Sequence, residues 1–180
     1  MKIFKVGLLS LFLFAQVSLA KEIGIVMLVR GKAERIDSKK SETIKVGTKI
    51  YESDRIETAE EAYVKLVMND RNILVVTEKS KLTINEYKSS MKLKKVLISL
   101  EQGSLRHALE QHYKKKNDRY EVKTATSGSG VRGTDFITQY EPQTGDTVLC
   151  TLRGQVSFDL IKDGKPAETP VLASAGEFIR

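Results

Sequence analysis

Most of this chain alternates with period two, and that pattern restricts the fold more than any other feature. Ala62, Val64, Leu66 and Met68 point one way, with Tyr63, Lys65 and Val67 opposite. The same alternation recurs at Leu82 and Ile84, at Tyr120, Val122 and Thr124, at Phe136, Thr138 and Tyr140, and at Val156, Phe158 and Leu160. Alternation over such short runs marks half-buried strands. Turn residues separate them: "NDRN" at 69–72, "EPQTGD" at 141–146 and "KDGK" at 162–165. Strands this closely spaced, without helical patterns between them, predict an all-β domain of short strands, either twisted and solenoid-like or sandwich-like. One stretch resists. In "SLRHALEQHYKKK" the residues Leu105, Ala108, Leu109 and His112 fall at helical spacing, so a short helix near 104–113 and an extended loop both fit.

A loose repeat accompanies the strands. "VRGKAERID" (29–37) and "LRGQVSFDL" (152–160) both read apolar-Arg-Gly, and "LEQGSLRHAL" (100–109) repeats the Gly-x-apolar part at Gly103. Gly47 and Gly176 follow the first two. Coiled β architectures place glycine where the chain turns from one rung to the next.

The N-terminus bears on compartment. Lys2 and Lys5 precede the apolar run "VGLLSLFLFAQV", and Ser18 and Ala20 stand three and one residues before Lys21. This is the layout of a secretory signal peptide over 1–20. The uncharged stretch is shorter than the ~20 residues that span a bilayer as a helix. The expectation is an exported chain, periplasmic or secreted, with residues 21–180 forming one domain and no transmembrane segment after cleavage. Loss of two lysines leaves the formal net charge of +7 at about +5. The lysines are interleaved with acids, so they read as a solvated surface. Export also argues against a nucleic-acid partner. The lone cysteine, Cys150, excludes an internal disulfide, and "TVLCTLRG" predicts Cys150 as a small buried residue sharing a face with Val148 and Leu152.

"GSGVRG" at 128–133 fits the spacing of a dinucleotide-binding loop. A strand precedes it, but "TDFITQYEP" after it is another strand, so no helix N-terminus is available for a pyrophosphate. A bend is expected instead, with Gly128 and Gly130 taking positive φ, Gly133 admitting a close backbone, and Arg132 tying down neighbouring carbonyls.

The wider segment "TATSGSGVRGTDF" resembles the signature of the FecR domain, a periplasmic module named after the ferric-citrate regulator, which reads Thr-Pro-x-Ala-x-x-x-Val-Arg-Gly-Thr-x-Phe. Val131, Arg132, Gly133, Thr134 and Phe136 match its core, Thr124 its start, and Asp54, Ile56 and Thr58 an upstream element. Ser53 stands where the family usually has glycine, "NDRN" replaces its Asp-Gly-Ser turn, and Ala125 replaces its proline. The resemblance covers about residues 23–179. Transmembrane regulators of this type add a cytoplasmic sigma-factor-controlling segment, a membrane helix and a second periplasmic domain. This chain matches the all-β module alone, so the resemblance implies a stand-alone envelope module.

Catalysis finds little support in the residues. His107 and His112 share no helical face and make no metal set with one cysteine. Ser129 lacks a histidine partner, and Asp54, Glu57, Glu60 and Glu61 read as a solvated acidic turn. No enzyme, cofactor or metal is expected. Two function classes follow: a module that binds another envelope protein through a strand edge or the 107–118 loop, and a module that holds an anionic or glycan envelope polymer. The second would use a basic surface of Lys114, Lys115 and Lys116, with Lys92, Lys94 and Lys95 nearby.

Overall fold

The computed structural model describes residues 21–180 except 39, 114, 132, 163–164 and 167–168. The expected signal peptide, Arg132 and Lys114 therefore lie outside the described residues, as does much of the "KDGK" turn. Every described element is a strand. In chain order they are β1 (Glu22–Arg30), β2 (Ala33–Ile36), β3 (Ser41–Thr43), β4 (Lys49–Tyr51), β5 (Arg55–Thr58) and β6 (Tyr63–Met68). There follow β7 (Ile73–Val76), β8 (Lys81–Ser89), β9 (Lys94–Ala108), β10 (Arg119–Lys123), β11 (Ser127–Val131) and β12 (Asp135–Glu141). The last are β13 (Asp146–Arg153), β14 (Gln155–Lys162), β15 (Lys165–Pro166), β16 (Val171–Ser174) and β17 (Phe178–Ile179).

Pairing arranges them in two layers. The first has the order β4-β1-β6-β7-β9-β12-β13-β17. The second has the order β3-β2-β5-β8-β9-β10-β11-β14-β16, with β15 extending the end of β14. Among the described strands only β9 belongs to both. Its Lys94–Gln102 half pairs with β8 in the second layer, and its Gly103–Ala108 half pairs with β12 in the first. The whole is one sheet folded over along β9 and not closed into a barrel, a sandwich-like arrangement. Pairing is antiparallel throughout except between β9 and β10, whose connection, residues 109–118, crosses from layer to layer.

The core lies between the layers. Val64, Leu66, Leu74, Leu105, Phe136 and Leu149 of the first layer join Ile56, Leu82, Ile84, Ile98 and Phe158 of the second in one buried cluster. These are the inward positions of the alternation, and each fully buried aliphatic or aromatic side chain contributes about 1.5–3 kcal/mol. Leu160 departs from the pattern and is exposed.

Neither the short helix near 104–113 nor the extended loop forms over 104–108, which completes β9. Leu105 and His107 are fully buried while Arg106 is exposed, and both flanks of this segment are paired, by β7 and β12. A period-two burial pattern with two partner strands outweighs the helix propensity of the residues. Cys150 also differs from expectation. Thr147, Leu149 and Thr151 face inward, leaving Cys150 half-buried on the outer face and Leu152 exposed. Alternation defines two faces without saying which is inside, and here the threonines occupy the core side.

The recurrent glycines do mark turns between rungs. Each direct passage from one layer to the other has a residue in the left-handed region: Gly31, Gly47, Ser53, Glu61, Lys79, Gly103, Gly133, Gly154 and Gly176, with φ between 50° and 119°. A strand bent sharply out of one ladder into another needs such a residue, and glycine adopts it without a steric cost. At Gly103, inside β9, a Cβ would lie 2.6 Å from the Cα of Ser80, so the fold-over point is also a close backbone approach.

Candidate functional site

The four described signature residues, Val131, Gly133, Thr134 and Phe136, form a corner. Val131 ends β11 and Phe136 lies early in β12, both buried, while Gly133 turns the chain between layers at φ 119°. Phe136 stacks on His107 with ring centroids 4.4 Å apart, and Tyr120 meets His107 edge-on. The Thr134 carbonyl accepts a 3.0 Å hydrogen bond from the Leu109 amide, and Arg153 donates to the Leu109 carbonyl. A Cβ on Gly133 would stand 2.6 Å from Nδ1 of His112. The corner thus clamps the 109–118 crossover against the body of the sandwich. Gly128 and Gly130 take no part in the bend: they lie inside β11 without positive φ. The turn needs one left-handed residue, and Gly133 supplies it.

The other anchor of the crossover is Asn72, fully buried in a turn that reads as ordinary solvent-facing punctuation in sequence. Its side-chain Nδ2 lies 3.0–3.1 Å from Asp70 Oδ2, Tyr87 Oη and Tyr113 Oη, which share its two hydrogens. Its oxygen accepts from the amides of Glu110 and Gln111. Tyr87 also donates to Asp70 Oδ1. Burial raises the Asp70 carboxyl above its usual range and pushes both tyrosine hydroxyls up.

Residues of catalytic type are used structurally. His107 is fully buried, with Nδ1 2.8 Å from the Tyr120 hydroxyl, and burial lowers its pKa to about 3. It is neutral at physiological pH and sealed from any substrate. Ser129 is buried and donates to the Val122 carbonyl. Asp54 corrects the expected solvated acidic turn: it is buried 3.1 Å from Arg35 and accepts the Tyr51 amide. Arg35, also buried, lies near Glu42 and Asp37 as well and stacks over Tyr51. Burial raises the Asp54 carboxyl, with the Tyr51 amide and the Arg35 guanidinium opposing it. The arginine was invisible in sequence because most of its partners, Glu42, Tyr51 and Asp54, are 7 to 19 residues away. Glu57 and Glu60 face solvent in pairs with Arg55 and Lys79. Among the described residues no group of three His, Cys, Asp or Glu is placed to hold a metal.

The basic set is only partly free. Lys115 donates to the Met91 carbonyl, Lys94 to Gln111 and to the His112 carbonyl, and Lys95 pairs with Glu86. Lys116 is exposed without an ion-pair partner among the described residues. The signature and the basic segment nevertheless meet. A cleft of about 750 Å³ on the outer side of the second layer is lined by Lys115, Lys116 and Arg119 on one wall. Gly130, Val131, Gly133 and Thr134 line another, and Ser157 and Leu172 the far side.

The comparisons agree with this architecture. Two crystal structures of a candidate anti-sigma factor from Parabacteroides distasonis superpose with a TM-score of 0.52 at 14% identity. The match covers 69% of this chain and 57% of the solved one, so this chain spans little more than half the length of the protein it resembles. No curated protein matches the sequence. The family model described as "FecR protein" matches residues 54–157, from the buried Asp54 through the signature corner into β14. This chain belongs to the FecR family.

Proposed function

We propose that residues 21–180 form a single exported module of the cell envelope, periplasmic in location, that binds another protein in a signalling-associated role and performs no chemistry. The observation that carries this reading is the fate of the signature. Its buried residues build a corner and leave a cleft beside it, while the residues of catalytic type, His107, Ser129 and Asp54, are locked in the interior. Family membership supports a regulatory role, and the structural neighbour described as a candidate anti-sigma factor is consistent with one.

A second reading, attachment to an anionic or glycan polymer, draws on Lys116 and Arg119 in the same cleft. Salt separates the two, because exposed charges are screened within a few ångströms at high ionic strength. The test is expression of the full chain with a C-terminal tag, fractionation, N-terminal sequencing and a pull-down from detergent-solubilised envelope at low and high salt. The reading expects a mature N-terminus at Lys21 and one protein retained at near-equal stoichiometry through high salt. Retention of polymer alone, lost as salt rises, would replace it with the second.

A further inference from the structure

Ten glycines lie among the described residues, and eight have an evident reason to be glycine. Seven adopt φ between 70° and 119°. At Gly24 a Cβ would lie 2.9 Å from the Val67 carbonyl oxygen. Gly128 and Gly130 have neither reason. They sit inside β11, which is paired on both sides, their φ lies outside the left-handed region, and a Cβ on either would meet no heavy atom within 4 Å. Glycine in a strand interior costs about 0.5–1 kcal/mol relative to alanine. Where nothing inside the chain requires it, it marks a place that a ligand or another chain approaches closely.

Both glycines face outward, since Ser127, Ser129 and Val131 are the buried positions of β11. Gly130 is flanked by Glu121 on β10 and Ser157 on β14, with Leu172 of β16 one strand beyond. Gly128 is flanked by Lys123 and Asp159. The result is a trough floored by bare main chain, with flanking strands about 10 Å apart. It opens into the cleft that carries Lys116, Arg119 and the exposed Leu172.

We propose that this trough receives an extended segment of a partner protein, with a large apolar side chain seated over Gly130 against Leu172 and a carboxylate reaching Lys116 and Arg119. The proposal rests on the protein-binding reading above and names its surface. Charge selects the occupant: Lys116 has no counterion among the described residues, and Arg119 is 66% exposed with only a 3.4 Å contact to Glu121. An apolar centre with a charged rim is the composition of a protein interface, where one anchored side chain supplies much of the affinity. The aromatics lining the cleft, Tyr113 and Tyr120, are buried and offer no face to a sugar ring. Because β11 is paired on both sides, recognition runs through side chains rather than through strand addition.

Filling the trough tests this. In Gly130→Val the new side chain enters open space on an unstrained strand, so the thermal midpoint should hold or rise. Lys116→Glu, a change at an exposed position, serves as an independent variant. A phage-displayed library of random dodecapeptides is panned on the full chain, and the enriched peptides are titrated against both variants. The expected peptides carry an aromatic or large aliphatic residue near Asp or Glu, and lose about tenfold or more in affinity for Gly130→Val, and severalfold for Lys116→Glu. Undiminished binding to both variants overturns the trough and leaves the protein-binding reading standing. A wild-type protein that enriches no peptide also overturns it. If Gly130→Val instead removes binding to envelope polysaccharide and leaves peptide binding intact, the occupant is a glycan. The protein-binding reading itself fails only if the high-salt pull-down retains no protein.

Discussion

Replacing Gly103 with alanine should destabilise the protein by about 3–6 kcal/mol, because two separate penalties meet where β9 changes layers. The first is conformational: φ is 87°, and an alanine held there costs about 1–2 kcal/mol. The second is steric. The added Cβ would lie 2.6 Å from the Cα of Ser80, a buried residue whose Oγ accepts the Ser104 amide at 3.0 Å. Forcing such a contact apart costs about 1–3 kcal/mol, and loosening the Ser80 bonds adds about 1 kcal/mol. Gly47 provides the control. Its φ is 89°, yet a Cβ there meets nothing within 4 Å, so Gly47→Ala carries the first penalty alone. Urea unfolding of both variants, with unchanged m-values, measures each cost. The difference between them, about 2–4 kcal/mol, isolates the close approach. Equal losses for the two variants would refute the argument that the fold-over point is sterically closed.

Ser53→Gly should stabilise the protein by about 0.5–1 kcal/mol, since Ser53 holds φ 67° at a corner between layers; a loss in the same urea assay would show that the serine is unstrained. Asn72→Ala removes the hub of the crossover and should cost about 2–4 kcal/mol, with faster amide exchange at Glu110 and Gln111; unchanged exchange there would mean that the corner alone holds the loop. For acid, the sign follows from His107. Its folded pKa of about 3 lies below the unfolded value of 6.5, so the unfolded chain takes up the proton first. Stability should be complete above pH 6.5 and decline as pH falls toward 3, by about 2 kcal/mol at pH 5. Asp54 and Asp70, both raised, oppose this only as pH approaches the carboxylate range. His107→Gln should flatten the slope between pH 6.5 and 5; an unchanged slope would assign the acid loss elsewhere.

The strands were legible because half-buried strands must alternate, and the segments at 62–68, 82–84, 120–124 and 136–140 do so with apolar residues on the inner face. The corners were legible where glycine fills them, at Gly31, Gly103 and Gly154, and illegible at Ser53, Glu61 and Lys79, whose side chains disguise the same backbone geometry. Which face turns inward was not legible at 147–152, where threonines occupy the interior and Cys150 lies outside. Asn72 and Arg35 escaped notice for a common reason. A polar residue buried by partners distant in sequence looks, in sequence, like any solvated one. Of the candidate site, the signature and the basic segment were each visible, and their meeting in one cleft depends on a crossover that no local pattern encodes.

The outer face of the second layer, beside the signature corner, is the surface proposed to receive the partner. The most direct measurement is photo-crosslinking in intact cells, with p-benzoylphenylalanine placed at Ser157 in the trough or at Lys65 on the outer face of the opposite layer. One discrete protein adduct is expected from position 157 and none from position 65. Adducts from position 65 alone, or of equal yield from both, would contradict the proposal.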